Sequence, residues 1–387
     1  MKQLPLIEGI RGYLALWVVF DHLLGFSGYG VSSLNFFFKI VRSGWYAVDI
    51  FIIISGFVIF YLLETKRETY KVFIIRRFFR LWPLFIILFF VAIPFSSIII
   101  DNATGFSEIY QGVLIGDGKI NERVVSWKDN MFWHILAHIP MLHGVLPDVI
   151  LPYSPGAFLG PAWSISLEWQ FYLIAPFLFI LKNKCKKYGL ILISLIFVVL
   201  CFLGQRIDDI QFGAFLPMHA EFFLLGIFSF YSFKWVYENK FFHNGKLFYI
   251  VIIITSLLYF ILDFKLFYLP YFLWINFFAL IVDYTTKKTF ELKMIVFYLF
   301  ESKPIKYLGK ISYSIYLSHV LVIYITQYFI IEFLPNVSQK HHLLILGLFT
   351  VGLTVFFSGL LYKYLEVPLI KKGNVIAKKH GINLSYC

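Results

Sequence analysis

The strongest constraint on the fold is a series of apolar runs that recurs along the whole chain. A helix needs about 20 predominantly apolar residues to cross the hydrocarbon core of a bilayer. Ten runs come close to that length, at 7–28, 45–63, 81–100, 162–181, 188–204, 211–232, 247–262, 266–283, 311–331 and 343–364. Of the 387 residues only 14% are charged, too few to cover a water-facing surface. The sequence therefore predicts an all-α fold, a polytopic membrane bundle of about ten transmembrane helices.

The distribution of positive charge predicts an orientation. Lysine and arginine accumulate in cytoplasmic loops of membrane proteins. With the N-terminus placed inside, 25 of the 34 Lys and Arg residues fall in inner segments, eight fall in outer segments, and Arg11 lies within a span. This distribution predicts cytoplasmic N- and C-termini. It also accounts for the net charge of +12 without a nucleic-acid partner.

The predicted organisation is a membrane domain over residues 1–370, with one long outer loop at 101–160. A short basic cytoplasmic tail follows at 371–387, and no fused soluble domain is expected. The outer loop contains an aromatic, histidine-bearing stretch at 131–140, which suggests a re-entrant or interfacial helix.

Ionisable side chains within the spans point to function, because such residues are costly in hydrocarbon. They are Glu8, Arg11, Asp21, His22, Asp49, Glu168, His219, Glu221 and His319. At about 1.5 Å per residue, His22, Asp49 and Glu168 reach a similar depth, which predicts one polar pocket open to the outside. A hydrogen bond between packed helices is the structural alternative for His22 and for His319.

Three arginines stand where the third predicted span meets the membrane, at Arg76, Arg77 and Arg80. One interpretation is a positive-inside anchor with its side chains reaching the interface. The other is an anion clamp, because guanidinium groups bind phosphate bidentately. A helix beginning here with Pro83 in its first turn would add free N–H groups and a positive helix end.

The chain resembles the acyltransferase-3 family of integral membrane acyltransferases in five segments that occur in order. They are residues 6–22, in which ten residues separate Arg11 from His22; 48–57; the Arg-x-x-Arg motif at 77–80; 163–172; and 308–319. Asp21 departs from the family pattern, which usually has an apolar or aromatic residue at that position. Many relatives that modify polysaccharides also carry a C-terminal extracytoplasmic domain of the SGNH type, which is not expected here.

The resemblance implies a membrane O-acyltransferase. It would move an acetyl group from cytoplasmic acetyl-CoA to a hydroxyl of a cell-surface glycan, such as lipopolysaccharide O-antigen or capsule, in a bacterial inner membrane. The predicted catalytic residues are His22, Asp49, Glu168 and Arg11; those for CoA are Arg76, Arg77 and Arg80; further candidates are His319, Tyr316 and Ser55. No metal ligand set is predicted. On this reading His22 would be a general base oriented by Asp49 or Glu168, and a transient acyl group on His22 stays open. The alternative function is a transporter or flippase of a glycan or lipid-linked sugar with an intramembrane proton relay.

Overall fold

The prediction of an all-α membrane bundle is confirmed by the computed structural model. The structure describes residues 5–30, 35–110, 119–207, 209–210, 213–239, 247–263, 265–286 and 293–380, and no β-strand occurs among them. The helices are α1 (Pro5–Phe26), α2 (Phe36–Val41), α3 (Trp45–Lys66), α4 (Tyr70–Ala92), α5 (Ser96–Ile109), α6 (Ile120–Asp129), α7 (Met131–His138), α8 (Ala162–Lys184), α9 (Gly189–Gly204), α10 (Ala220–Asn239), α11 (Leu247–Ile261), α12 (Leu269–Thr286), α13 (Lys293–Val296), α14 (Lys303–Lys310), α15 (Ser312–Phe333), α16 (Gln339–Leu361) and α17 (Val367–His380).

Eight helical segments among the described residues are long and apolar enough to cross a membrane. They are Trp45–Lys66, Tyr70–Ile109, Ala162–Lys184, Lys186–Gly204, Leu216–Asn239, Leu266–Thr285, Ser312–Phe333 and Gln339–His380. The two other predicted spans are also helical, as α1 and α11. Helix α1 carries three charged residues, and α11 is only 15 residues long. The count of ten spans and the cytoplasmic placement of the termini therefore stay predictions.

The third predicted span begins earlier than expected. Helix α4 starts at Tyr70, where the side chain of Thr69 caps it by accepting a hydrogen bond from the Val72 N–H. Pro83 consequently lies inside the helix, more than three turns from its start. The predicted helix N-terminus at Pro83 is therefore wrong, and no anion site can be built there from free N–H groups. The three arginines instead project from the side of a continuous helix.

The predicted outer loop is largely helical in its described parts. Residues 101–109 continue α5, and α6 and α7 follow it. In and after α7, His134, His138 and His143 are completely buried. The ring of His138 stacks on the ring of His143 at 4.0 Å and on that of Phe89, from α4, at 4.3 Å. This segment is packed onto the bundle as part of its core.

Glycines let the helices around the central cavities approach closely. A Cβ atom on Gly226 of α10 would lie 2.1 Å from the carbonyl oxygen of Ile53 in α3. A Cβ on Gly309 of α14 would lie 1.9 Å from the carbonyl oxygen of Glu8 in α1. Small residues commonly mediate such contacts between membrane helices. At the C-terminal end, α17 packs along α4 with Gly373 against Phe79, so part of the predicted tail, 371–380, is an ordered helix. Residues 381–387 lie outside the described part of the chain.

Candidate active site

Two cavities follow one another along helices α1 and α15. On α1, Arg11 lines the first cavity and His22 lines the second; on α15, Tyr316 lines the first and Tyr324 the second. We call the first one the arginine cavity and the second one the His22 cavity. Counted out to their mouths, they hold about 820 Å³ and about 980 Å³ of empty space.

The arginine cavity is built from α1, α3, α4, α8, α10 and α15. Its polar wall consists of Arg11, Ser55, Arg77, Arg80, Ser164, Glu168, Tyr172, Ser312, Tyr313 and Tyr316. Apolar side chains of α3, including Val48, Phe51 and Ile52, complete the lining. The cavity therefore combines an apolar channel with three guanidinium groups.

The three arginines differ in how their charge is balanced. Arg80 lies 3.5 Å from the carboxylate of Glu366, a nearly inaccessible residue that also accepts a hydrogen bond of 3.0 Å from Ser314. Within the described residues, neither Arg11 nor Arg77 has a carboxylate within ion-pair distance. The guanidinium of Arg77 lies 5.8 Å from the ring centre of Phe73 and 5.9 Å from that of Tyr172. Two guanidinium groups are thus free to bind an anion.

Arg76 does not belong to this group. It forms an ion pair with Glu68 and does not line the arginine cavity. Adjacent residues in a helix point about 100° apart, so the side chain next to Arg77 leaves the cavity. The structure therefore separates Arg76 from Arg77 and Arg80, which the sequence had grouped together.

Glu168 is held by two hydroxyl groups on the cavity wall. Tyr172 donates to its Oε1 atom, and Ser55 Oγ donates to the same atom at 3.2 Å. The hydroxyl group of Tyr316 and Ser164 Oγ are hydrogen-bonded at 2.8 Å. These contacts bring together Glu168, Ser55 and Tyr316, three of the residues predicted from the sequence.

Two histidines of α1 and α15 contact each other, and of the two only His22 lines a cavity. His319 Nε2 lies 3.4 Å from His22 Nδ1, although the residues are 297 positions apart. His22 Nδ1 also lies 2.9 Å from the carbonyl oxygen of Val18, and His319 Nδ1 lies 3.2 Å from that of Ile315. Carbonyl oxygens only accept, so these contacts assign the proton of each neutral ring to Nδ1. The assignment leaves His22 Nε2 unprotonated, as a general base requires.

The predicted pocket of His22, Asp49 and Glu168 at one depth is wrong. Asp49 lines neither cavity; its Oδ1 atom lies 3.5 Å from Nδ1 of His219. Glu168 lines the arginine cavity, whereas His22 lines the His22 cavity. The rotation of each helix directs these side chains to different neighbours.

Several residues in or beside the two cavities were not predicted from the sequence. Glu366 follows the last apolar run as an isolated carboxylate, a signal that could have identified it. Arg42 and Arg123 line the His22 cavity from segments predicted to lie outside, where arginine has no distinguishing pattern. Within the described residues, no group of three or more His, Cys, Asp or Glu side chains is placed to hold a metal ion.

The fold and these cavities define a helical membrane protein with a polar site inside its bundle, and comparison with known proteins gives its family. The model of the acyltransferase domain of the acyltransferase-3 family matches residues 4–363, so the chain belongs to that family. A Staphylococcus aureus (strain COL) protein provisionally named an O-acetyltransferase is 23% identical, over 96% of this chain and 58% of its own length. The peptidoglycan O-acetyltransferase OatA of Listeria monocytogenes is 26% identical, over 96% of this chain and 56% of its own length. The chain thus spans a little over half the length of these relatives. No solved structure matches it.

Proposed function

We propose that this protein is a membrane O-acyltransferase. It takes an acetyl group from acetyl-CoA in the arginine cavity and transfers it to a hydroxyl group in the His22 cavity. The observation that carries the proposal is the succession of the two cavities along α1 and α15, with His319 between Tyr316 of one and Val320 of the other and in contact with His22. With Arg11 towards the cytoplasm, as the charge distribution predicts, the donor enters from inside and the acceptor from outside.

The arginine cavity suits the phosphate groups of coenzyme A. Arg77 and Arg11 offer guanidinium groups without a carboxylate partner among the described residues, and Arg80 is oriented by Glu366. Guanidinium groups bind phosphate with two parallel hydrogen bonds. The apolar wall from α3 suits the uncharged pantetheine arm, which would lead the thioester towards Tyr316 and His319.

His22 would act as the general base. Its Nε2 atom takes the proton of the acceptor hydroxyl while the acceptor oxygen attacks the thioester carbonyl carbon. The carbon–sulfur bond then breaks, and the imidazolium returns its proton to the departing sulfur. His319, whose Nε2 accepts from His22 Nδ1, keeps the ring in the required tautomer. Glu168, with its two hydroxyl donors, would order the inner wall near the thioester.

The acceptor would be a glycan of the bacterial cell surface, and the protein would lie in the plasma membrane. The names of the relatives support this choice, since one of them acts on peptidoglycan. O-antigen and capsule are acceptors of the same chemical kind, because each presents sugar hydroxyl groups.

The test is complementation of a host that lacks the gene, with ester-linked acetyl measured on its surface glycans. Wild type and the control His341→Ala, an exposed histidine, should restore acetylation. His22→Ala should lower it at least about a hundredfold at equal membrane levels, as expected for loss of a general base. Binding of labelled acetyl-CoA to purified wild type and His22→Ala should be equal. Full restoration by His22→Ala, or wild-type protein that does not bind acetyl-CoA, would refute the proposal and favour a transporter.

A further inference from the structure

The hydroxyl group of Tyr324 differs from those of Tyr313 and Tyr316 on the same helix. Tyr313 donates to the backbone carbonyl oxygen of Leu81 at 2.7 Å, and the hydroxyl group of Tyr316 is hydrogen-bonded to Ser164 at 2.8 Å. Tyr324 is only 9% exposed, yet within the described residues its hydroxyl group makes no hydrogen bond. Buried tyrosine hydroxyl groups usually have a partner. Since Tyr324 lines the His22 cavity, a ligand in that cavity can supply the partner.

The position of Tyr324 is fixed by packed groups. Its backbone carbonyl oxygen accepts a hydrogen bond of 2.8 Å from Asn102 of α5, which is 2% exposed. The ring of Phe26 lies 5.3 Å from that of Tyr324, edge to face, and 6.3 Å from that of His22, in a stacked arrangement. Phe26 thus links the two side chains along one wall of the cavity. The Tyr324 hydroxyl group is therefore within the reach of one or two sugar rings from His22.

The rest of the lining suits a ligand without charge. Asp21 forms an ion pair with Arg42, and Asp148 interacts electrostatically with Arg123, so each guanidinium group of the lining has a carboxylate among its charged neighbours. The indole of Trp127 adds a ring surface on which the apolar face of a sugar can pack. Small-molecule sites commonly combine such aromatic walls with a few polar groups that fix the orientation of the ligand.

We propose that Tyr324 is a specificity-determining residue of the His22 cavity: its hydroxyl group hydrogen-bonds a hydroxyl group of a neutral sugar, while another hydroxyl group of the same saccharide faces His22 Nε2. This inference rests on the proposed function, because it concerns the acceptor of that reaction. A sugar that lacks the matching hydroxyl group leaves Tyr324 without a partner. A site built around such a hydrogen bond rejects the analogue that lacks it.

The test measures binding of methyl β-D-glucopyranoside and its monodeoxy analogues to the purified full chain without acetyl-CoA, by isothermal titration. Tyr324→Phe keeps the ring beside Phe26 and removes only the hydroxyl group. It should bind the parent sugar about three- to tenfold more weakly than wild type, the range for one neutral hydrogen bond. For one monodeoxy analogue the two proteins should bind equally, because the partner of the Tyr324 hydroxyl group is already missing. The control Tyr328→Phe, on the same helix but in the lining of neither cavity, should match wild type with every sugar.

Unchanged affinity of Tyr324→Phe for the parent sugar overturns the inference, as does an absence of binding of that sugar to wild type. An equal loss with the parent sugar and with every analogue also overturns it, because that pattern means that the substitution alters the cavity itself rather than one hydrogen bond. The proposed function is tested separately by acetylation in cells. Acetylation that depends on His22, with no analogue that abolishes the effect of Tyr324→Phe, would leave the proposed function standing and remove only this inference.

Discussion

The two cavities handle charge in opposite ways. In the arginine cavity, Arg11 and Arg77 have no carboxylate partner among the described residues, and the carboxylate of Glu168 is held by hydroxyl groups. In the His22 cavity, Arg42 is paired with Asp21 beside a histidine. Guanidinium groups without a carboxylate partner suit a polyanionic substrate, which supplies the missing negative charge. An arginine that is already paired with a carboxylate, next to a histidine, suits a substrate that presents a hydroxyl group. The difference agrees with the proposed function, in which the two cavities take substrates of different chemistry.

The largest expected effect is on stability, and it concerns the close contacts that glycines allow around the two cavities. The arginine cavity depends on the contact between the backbones of α3 and α10, and Gly226→Ala would place a Cβ 2.1 Å from the Ile53 carbonyl oxygen. We expect a loss of about 3 kcal/mol, because the backbone cannot yield without separating the helices. Gly25→Ala in the His22 cavity meets only the end of the Arg42 side chain and should cost about 1 kcal/mol or less. Thermal unfolding followed by tryptophan fluorescence measures both variants; equal losses would contradict this difference.

The next effect tests which arginines serve the donor. Arg77→Ala should weaken acetyl-CoA binding about ten- to a hundredfold, the range for a charge-assisted hydrogen bond. Arg76→Ala should change the affinity less than about twofold, because Arg76 is paired with Glu68 outside the cavity. Isothermal titration of the purified variants gives both numbers. A similar loss in the two variants would mean that a general positive surface, rather than the cavity, attracts the donor.

The third effect concerns the buried histidines of the segment predicted to be an outer loop. Burial lowers the pKa of His143 from 6.5 to about 4 and lowers the pKa of His138 well below its ordinary value. The folded state therefore favours the neutral rings, and the unfolded chain takes up protons first as the pH falls below 6.5. Stability should decline through the window from 6.5 to about 4, by about 2 kcal/mol for His143 between pH 7 and pH 5.

Unfolding of wild type, His143→Phe and the exposed control His341→Gln at pH 7 and pH 5 checks this expectation. His143→Phe keeps an aromatic ring in the stack but does not titrate, so its stability should depend less on pH than that of wild type. The control should lose as much stability as wild type. An unchanged pH dependence in His143→Phe would exclude this histidine as a source of the acid sensitivity.

The all-α membrane fold was predictable because every span carries its own signal of length and hydropathy. The arginines and His22 were also predictable, since ionisable residues in apolar helices are rare. The contacts between these side chains were not predictable, because they depend on how each helix is rotated and on which helices are neighbours. One helical step separates Arg77, in the arginine cavity, from Arg76, which pairs with Glu68. His22 contacts His319, which is 297 positions away in the sequence, rather than Asp49, which is much nearer in the sequence.

The smallest expected effect tests that revised pairing directly. Asp49 contacts His219 and lines neither cavity, so Asp49→Asn should leave acetyl transfer within about threefold of wild type. Asparagine keeps the shape and an oxygen atom beside His219 Nδ1. Glu168→Gln, in contrast, removes the carboxylate that Tyr172 and Ser55 hold in the arginine cavity and should lower transfer at least about tenfold. Initial rates with labelled acetyl-CoA, at equal protein levels, compare the two variants. A large loss in Asp49→Asn would restore the single pocket that the sequence suggested, and the two cavities would then have to be joined by a movement of α3.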